Sequence, residues 1–346
     1  MNSNQQYCFT HLGGEDIYLF ALHNTKGYEV CITNYGAIIM SMKLRKANDT
    51  FNDIVLGFDK MEDYVSPQYL QQYIWMGCAV GRYANRVKDG TCVIDGQKIQ
   101  LSKNLGNDQI HGGVTGFDKK AWKVVSFDPI KNELHLNYTS PDGEEGFPGN
   151  LNVSLKFKLR DDELIYEYVA KTDLPTIVNL THHSYFNLDN GNGNNHNYLI
   201  RIDASRILDQ DRNLIPTGNL SMVENTEFDF RQMRPLGDQI KMESGYDKSF
   251  VLDKNENALS LAAEAFCENS RTKLQVYTTE PILHFYSGKG IPNMKGKNGT
   301  EYSSCSGFCF ETQKHPNAIN VPHFPNTILR PGETYQETTI YKFFEV

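Results

Sequence analysis

Cysteine is sparse and scattered in this chain of 346 residues. The seven cysteines, at positions 8, 31, 78, 92, 267, 305 and 309, are odd in number and contain no CxxC pair. That argues against a disulfide framework and a zinc knuckle, and predicts reduced thiols in a cytoplasmic protein. Long apolar runs are also missing: none approaches the ~20 residues that span a bilayer. The first residues, Met1 to Cys8, have neither a basic region nor an apolar stretch of the kind that directs export. Positive charge is in short supply, with 34 Lys and Arg against 42 Asp and Glu and a formal net charge of -8. A nucleic-acid partner needs clustered cations, so this balance opposes one and favours a small neutral ligand. Ser/Pro linkers, low-complexity tracts and repeats of solenoid or propeller period are lacking as well, which predicts one domain over residues 1–346.

Aromatic residues are plentiful, with 19 Tyr and 19 Phe in a chain that is 39% hydrophobic, enough to bury a core. They fall in short alternating segments broken by Gly, Asn, Asp and Pro, the pattern of strands rather than helices. Examples are Tyr28 to Tyr35, Asp53 to Gly57, Leu134 to Tyr138, Asn152 to Leu159, Leu164 to Ala170, Leu199 to Ile202, Lys273 to Tyr277 and Thr338 to Phe343. Thr91 to Ile94 and Gln97 to Leu101 flank Asp95-Gly96, which predicts a hairpin with a type I′ turn. Helical signals are confined to Met61 to Tyr73 and Phe230 to Ile240, both interrupted by proline. The expectation is an all-β protein, a large β-sandwich with few short helices and a ligand over one sheet face.

Several suggestive motifs fail on chemistry. His111-Gly-Gly-Val-Thr-Gly116 has no βαβ surroundings and does not suit a dinucleotide. Gly288 to Gly299 lacks the spacing of a phosphate loop, and Asp209 to Leu220 has Leu where a calcium loop needs Gly and Glu. Cys305 and Cys309 would share a strand face, where packing is the simpler reading. His182 and His183, being adjacent, would point to opposite faces of a strand and could not both ligate one ion. No metal is expected. What remains is polar residues set in apolar surroundings: Arg86, His111, His183, Asp247 and Glu311. In Gly307-Phe-Cys-Phe-Glu-Thr-Gln313, Phe308, Phe310 and Thr312 fall on one face and Cys309, Glu311 and Gln313 on the other. A carboxylate and an imidazole facing one substrate are the usual kit for general acid/base catalysis. Singly, His111 and Asp247 also suit turns and Arg86 a surface pair, and Glu333 reads as a turn residue.

Nearly the whole chain resembles the aldose 1-epimerase (galactose mutarotase) family. The resemblance rests on Asn34-Tyr-Gly-Ala37, Asp53 to Phe58, Gly81-Arg-x-Ala-Asn-Arg86, Leu105 to Trp122, Ser140 to Gly149 and Thr181-His-His-Ser-Tyr-Phe-Asn-Leu188. It continues in Ile215-Pro-Thr-Gly218, Gly245-Tyr-Asp247, Gly307 to Pro316 and Leu329 to Glu333. It implies a supersandwich fold with an open sugar cleft and cofactor-free interconversion of the α- and β-anomers of galactose and glucose. It further implies Glu311 as general base at the C1 hydroxyl and His183 as general acid at the ring oxygen, with His111 beside them. Asn85, Arg86, Tyr185 and Asp247 match positions that hold the sugar, as does His284, where the family commonly has Gln. His182 stands where the family usually has Asn, and Lys248 where it has His. These departures keep two alternatives open: a catalytically weak sugar-binding or sensing protein, and an epimerase for a phosphorylated hexose. Nucleic-acid and membrane partners are not expected, and the assembly is expected to be a monomer or homodimer.

Overall fold

The computed structural model describes residues 6–237 and 245–346. Its largest element is an antiparallel sheet of nine strands, in the order Lys123–Asp128, Glu133–Ser140, Leu151–Arg160, Glu163–Thr172, Tyr335–Glu345, Thr272–Thr278, Ser260–Cys267, Leu199–Ile202 and Arg234–Pro235. Strict alternation builds it. Along Leu151–Arg160, Leu151, Val153, Leu155, Phe157 and Leu159 are buried, and the residues between them are half-buried or exposed, as a sheet with one covered face requires. The last strand of the chain, Tyr335–Glu345, sits inside this sheet between Glu163–Thr172 and Thr272–Thr278.

Two five-stranded sheets cover the apolar face. One is a meander of Gln6–Leu12, Glu15–His23, Glu29–Thr33, Ile39–Arg45 and Phe51–Asp53. The other runs in the order Pro216–Met222, Arg206–Gln210, Asp247–Val251, Ile282–Tyr286 and Cys309–Gln313. A continuous core joins Phe20, Val30 and Met42 of the first and Phe250, Phe285 and Phe310 of the second to Leu155, Tyr166, Val276 and Tyr341 of the large sheet. Each such aromatic or aliphatic side chain contributes about 1.5–3 kcal/mol by leaving water. A second apolar cluster on the opposite side packs Leu19, Ile38 and Met40 against Met61, Tyr64 and Tyr69.

Local expectations fare unevenly. The hairpin forms as read, with Asp95 and Gly96 at φ 50° and 79° and Ile94 paired with Gln97. Met61 to Tyr73 yields two short helices, Met61–Tyr64 and Pro67–Gln71. Pro67 opens the second and Ser66 Oγ caps it, accepting from Tyr69 N at 3.2 Å, so the proline both ends one helix and starts the next. From Phe230 to Leu236 there is no helix. Arg234–Pro235 instead adds an edge pair to Leu199–Ile202, a position where proline's missing N–H is tolerated; residues 238–240 of that expected helix lie outside the described residues. The strand expected over Asp53 to Gly57 is displaced to Phe51–Asp53; after Ile54 N bonds to Met42 O the chain turns away from Ile39–Arg45, and Leu56 N bonds to Tyr185 O. Cys305 lies in a turn at φ 63°, so it does not share a strand face with Cys309.

Candidate active site

The second five-stranded sheet works as a grid. Glu311 is paired with His284, and His284 with Ser249; one row away, Cys309 is paired with Tyr286, and Tyr286 with Asp247. Directly opposed residues in an antiparallel ladder project to the same face, so these six side chains share the face opposite the core, while Phe250, Phe285 and Phe310 enter the core. Above them is a cavity of about 240 Å³, closed by Trp75, Asn85, Arg86, Leu105, Ile110, His111, His183 and Tyr185. All eight residues singled out in the sequence, His183, Glu311, His111, Asn85, Arg86, Tyr185, Asp247 and His284, line this one space.

Glu311 is buried. Its Oε1 lies 3.7 Å from His183 Nε2, and its Oε2 is buried without a hydrogen-bond partner among the described residues. A carboxylate oxygen left bare in the interior is costly, and is the form a base takes when its partner arrives with the substrate. The backbone of His183 is pinned by its N–H donating to Cys78 O at 2.8 Å and its O accepting from Gly77 N at 2.9 Å. Its Nδ1 is 3.5 Å from Cys309 Sγ, and Tyr185 packs against its ring at 5.0 Å. The neighbouring His182 turns the other way, as the strand period requires. It is buried between Phe157 and Tyr166, its Nε2 is 3.2 Å from Ala37 O and its Nδ1 is 3.0 Å from Ser184 Oγ. Burial holds it down at about 4, so it is a neutral core histidine, outside the cavity.

Asn85 and His111 are both left-handed, at φ 60° and 51°, and clasp each other. His111 N donates to Asn85 O at 3.1 Å, and Asn85 N donates to His111 Nδ1 at 3.2 Å. Burial, then the His183 charge, keeps His111 well below the usual imidazole range. A neutral ring whose Nδ1 accepts carries its proton on Nε2. This bears on metal binding, because ligand atoms of His111, His183 and Glu311 lie within 4.8 Å of one another, a trio that the sequence argument about His182 and His183 did not consider. An ion needs a lone pair from each imidazole, whereas His111 presents a hydrogen. His111 is thus arranged to donate, beside the accepting carboxylate of Glu311.

The remaining residues form a chain along the cavity floor. Ser249 Oγ is 2.8 Å from His284 Nδ1, and His284 Nε2 is 2.8 Å from Asp247 Oδ1. Asp247 Oδ2 lies 3.6 Å from Arg86 Nη2, and Arg86 Nη1 reaches Asn85 Oδ1 at 3.4 Å. Burial pushes the Asp247 carboxyl up, but the His284 hydrogen bond and charge, with Arg86, outweigh it and hold Asp247 at about 2. Arg86 is therefore no surface pair and Asp247 no turn residue. Lys248 leaves the cavity to lie 5.3 Å over the Phe228 ring. The lysines within Gly288 to Gly299 are elsewhere: Lys297 is held by Asp53 Oδ2 at 2.6 Å and Met40 O at 3.0 Å, and among the described residues no lysine lines the cavity. Sequence reasoning missed Trp75, Tyr286 and Ser249. Trp75 carried one signal, as one of only two tryptophans in the chain, in a loop two residues before Gly77.

Known proteins resemble this chain along nearly its whole length. A family profile described as aldose 1-epimerase matches residues 18–342. The chain is 39% identical to the galactose mutarotase of Bos taurus over 96% of its own length and 95% of the relative's. It is 34% identical to the aldose 1-epimerase of Escherichia coli (strain K12) over 95% and 96%. Among solved structures, an aldose epimerase homologue from C. elegans superimposes with a TM-score of 0.87 at 29% identity, covering 95% of this chain and 99% of that one. A galactose 1-epimerase from Lactobacillus acidophilus NCFM gives 0.84 at 28%, covering 99% and 98%.

Proposed function

This chain belongs to the aldose 1-epimerase family, and we propose that it is a cytoplasmic mutarotase that interconverts the α- and β-anomers of free galactose and glucose with Glu311 and His183 as its proton-transfer pair. The observation that carries this reading is Glu311 itself, buried at the cavity wall, with one oxygen towards His183 and the other without a hydrogen-bond partner among the described residues. Glu311 takes the proton of the C1 hydroxyl while His183 gives one to the ring oxygen. The bond between C1 and the ring oxygen breaks and the open-chain aldehyde forms. After rotation about C1–C2, the C5 hydroxyl oxygen attacks the other face of C1 and returns its proton to His183. Glu311 returns its own proton to O1, so the enzyme ends as it began. Each positioned transfer contributes roughly 10²–10⁴-fold, together on the order of 5–11 kcal/mol.

The other residues bind and orient. His111 Nε2–H donates to a sugar oxygen without competing as a base, since its ring stays neutral. Ionised Asp247 accepts from hydroxyls, and Arg86 donates to them. His284 spends both nitrogens on Ser249 and Asp247, so it acts on the sugar through Asp247. A cytoplasmic setting is consistent with the described cysteines, all of which are free thiols. The test is polarimetry on fresh α-D-galactose and α-D-glucose, with and without EDTA. The wild type is expected to speed anomer exchange equally in both conditions. Glu311→Gln is expected to lose about 10²–10⁴-fold in rate; a variant with near-normal rate would remove Glu311 from the mechanism.

A further inference from the structure

The two tryptophans of this chain are treated differently. Trp122 is buried in the core, and its indole Nε1 donates to Phe117 O at 3.2 Å, the usual arrangement for an interior tryptophan. Trp75 lines the catalytic cavity, yet its Nε1 is buried with no hydrogen-bond partner among the described residues. Its backbone is costly too, at φ 53°, in the left-handed region that bulky side chains avoid. The surroundings enforce that conformation. Trp75 O accepts from Cys78 N at 3.4 Å and from Cys78 Sγ at 3.1 Å. Tyr69 Oη accepts from Met76 N at 2.9 Å. Tyr73, anchored by its hydroxyl to Asp118 at 2.6 Å, sets its ring edge-on to the indole at 5.3 Å. An unmet donor on a residue held this firmly at a cavity wall points to a ligand that takes its hydrogen bond.

Resting on the mutarotase reading, we propose that Trp75 is a substrate-binding residue whose indole N–H donates to a pyranose hydroxyl. Its ring lies 4.7 Å from His111 and 6.4 Å from His183, at 29° to the latter. The indole and His111 donors thus share one wall of the cavity and suit neighbouring hydroxyls of one sugar. The hydrogen bond forms in the bound ground state and in the transition state alike, so its loss shows in KM rather than kcat.

Trp75→Phe keeps an aromatic ring and removes the N–H. KM for galactose is expected to rise about tenfold with kcat held within about twofold, the loss of one buried hydrogen bond. An unchanged KM in a folded variant, checked by its circular dichroism, overturns the proposal. A second measurement does not depend on the variant folding: tryptophan emission of the wild type titrated with galactose. A saturable change with a midpoint near KM supports the proposal, because Trp122 is in the core with its donor satisfied, and emission that does not respond at saturating sugar overturns it. In a folded Trp75→Phe protein the change should vanish, and its persistence also overturns the proposal. Failure of the mutarotase reading looks different, since the wild type would then not accelerate anomer exchange at all.

Discussion

Two buried glutamates one strand apart show opposite solutions to the same electrostatic problem. Glu280, just before Ile282–Tyr286, and Glu311, in the adjoining Cys309–Gln313, are each only 1% exposed. Glu280 is surrounded by partners: Tyr335 Oη donates to it at 2.7 Å and Lys314 Nζ lies 3.0 Å away. The same lysine also pairs with Glu337. Among the described residues Glu311 has no such partners: its Oε1 lies 3.7 Å from an imidazole and its Oε2 has no hydrogen-bond partner. Burying a carboxylate costs several kcal/mol unless partners offset it. Around Glu280 the protein supplies a cation and a phenol that offset part of this cost; around Glu311 the described residues supply neither. Burial of a charge therefore does not mark a site by itself; Glu311 and Trp75 each combine an unpartnered buried atom with a place on the cavity wall.

This contrast can be broken most sharply by Glu311→Gln. While losing about 10²–10⁴-fold in rate, it should melt at or above the wild-type temperature, since a lone buried charge is removed; early melting would make Glu311 a structural residue like Glu280. Next is Lys314→Met, which leaves Glu280 and Glu337 without their shared cation and should cost about 3–5 kcal/mol, read from denaturant midpoints. A wild-type midpoint would show that the Glu280 cluster contributes nothing to stability. A smaller effect is a drift with pH. Burial, with Glu337 adding to it, raises Glu280 to about 7 from an ordinary 4.5. A carboxyl raised in the folded state contributes stability that is complete below its unfolded value and lost as pH rises through its folded one. The Tm of wild type relative to Glu280→Gln should therefore fall between about pH 4.5 and 7, and a constant difference would contradict the assignment. Asp247, held at about 2, has the reverse slope and loses its contribution only as pH falls below the ordinary carboxylate range. The mildest change is His284→Gln. One clamp on Asp247 is exchanged for an amide, and KM for galactose should shift about severalfold, the scale of one hydrogen bond, with kcat preserved.

Long alternating strands were legible because one covered face dictates their pattern: the reading of Asn152 to Leu159 and Leu164 to Ala170 stops within two residues of Leu151–Arg160 and Glu163–Thr172. The same period separated His183 from His182 and put Glu311 on the face away from Phe310. Phe230 to Leu236 misled because its apolar residues and arginines suit a helix, whereas an edge strand supplied backbone partners that local sequence does not reveal. Ser249 and Tyr286 were hidden for a related reason. Their membership of the site depends on which strands become neighbours, and the ladder joining Asp247–Val251, Ile282–Tyr286 and Cys309–Gln313 is a long-range choice. Trp75 was hidden because a loop conformation, not a periodic face, brings it to the cavity. The family motifs supplied the grouping of the eight site residues that periodicity could not.

The ladder beneath the cavity also shapes how such a protein can change over generations. Glu311, His284 and Ser249 stand in one cross-strand row and Asp247, Tyr286 and Cys309 in the next, so inserting or deleting one residue in any of these strands would swap that strand's polar and apolar faces at once. The polar floor of the cavity is thus inherited whole or lost whole. The loops carrying Trp75, Leu105 and His111 have no such quantised spacing and can drift by small steps. New sugar preferences should accordingly arise by remodelling the rim over an unaltered floor, and a library randomised at the rim is the economical place to look for them.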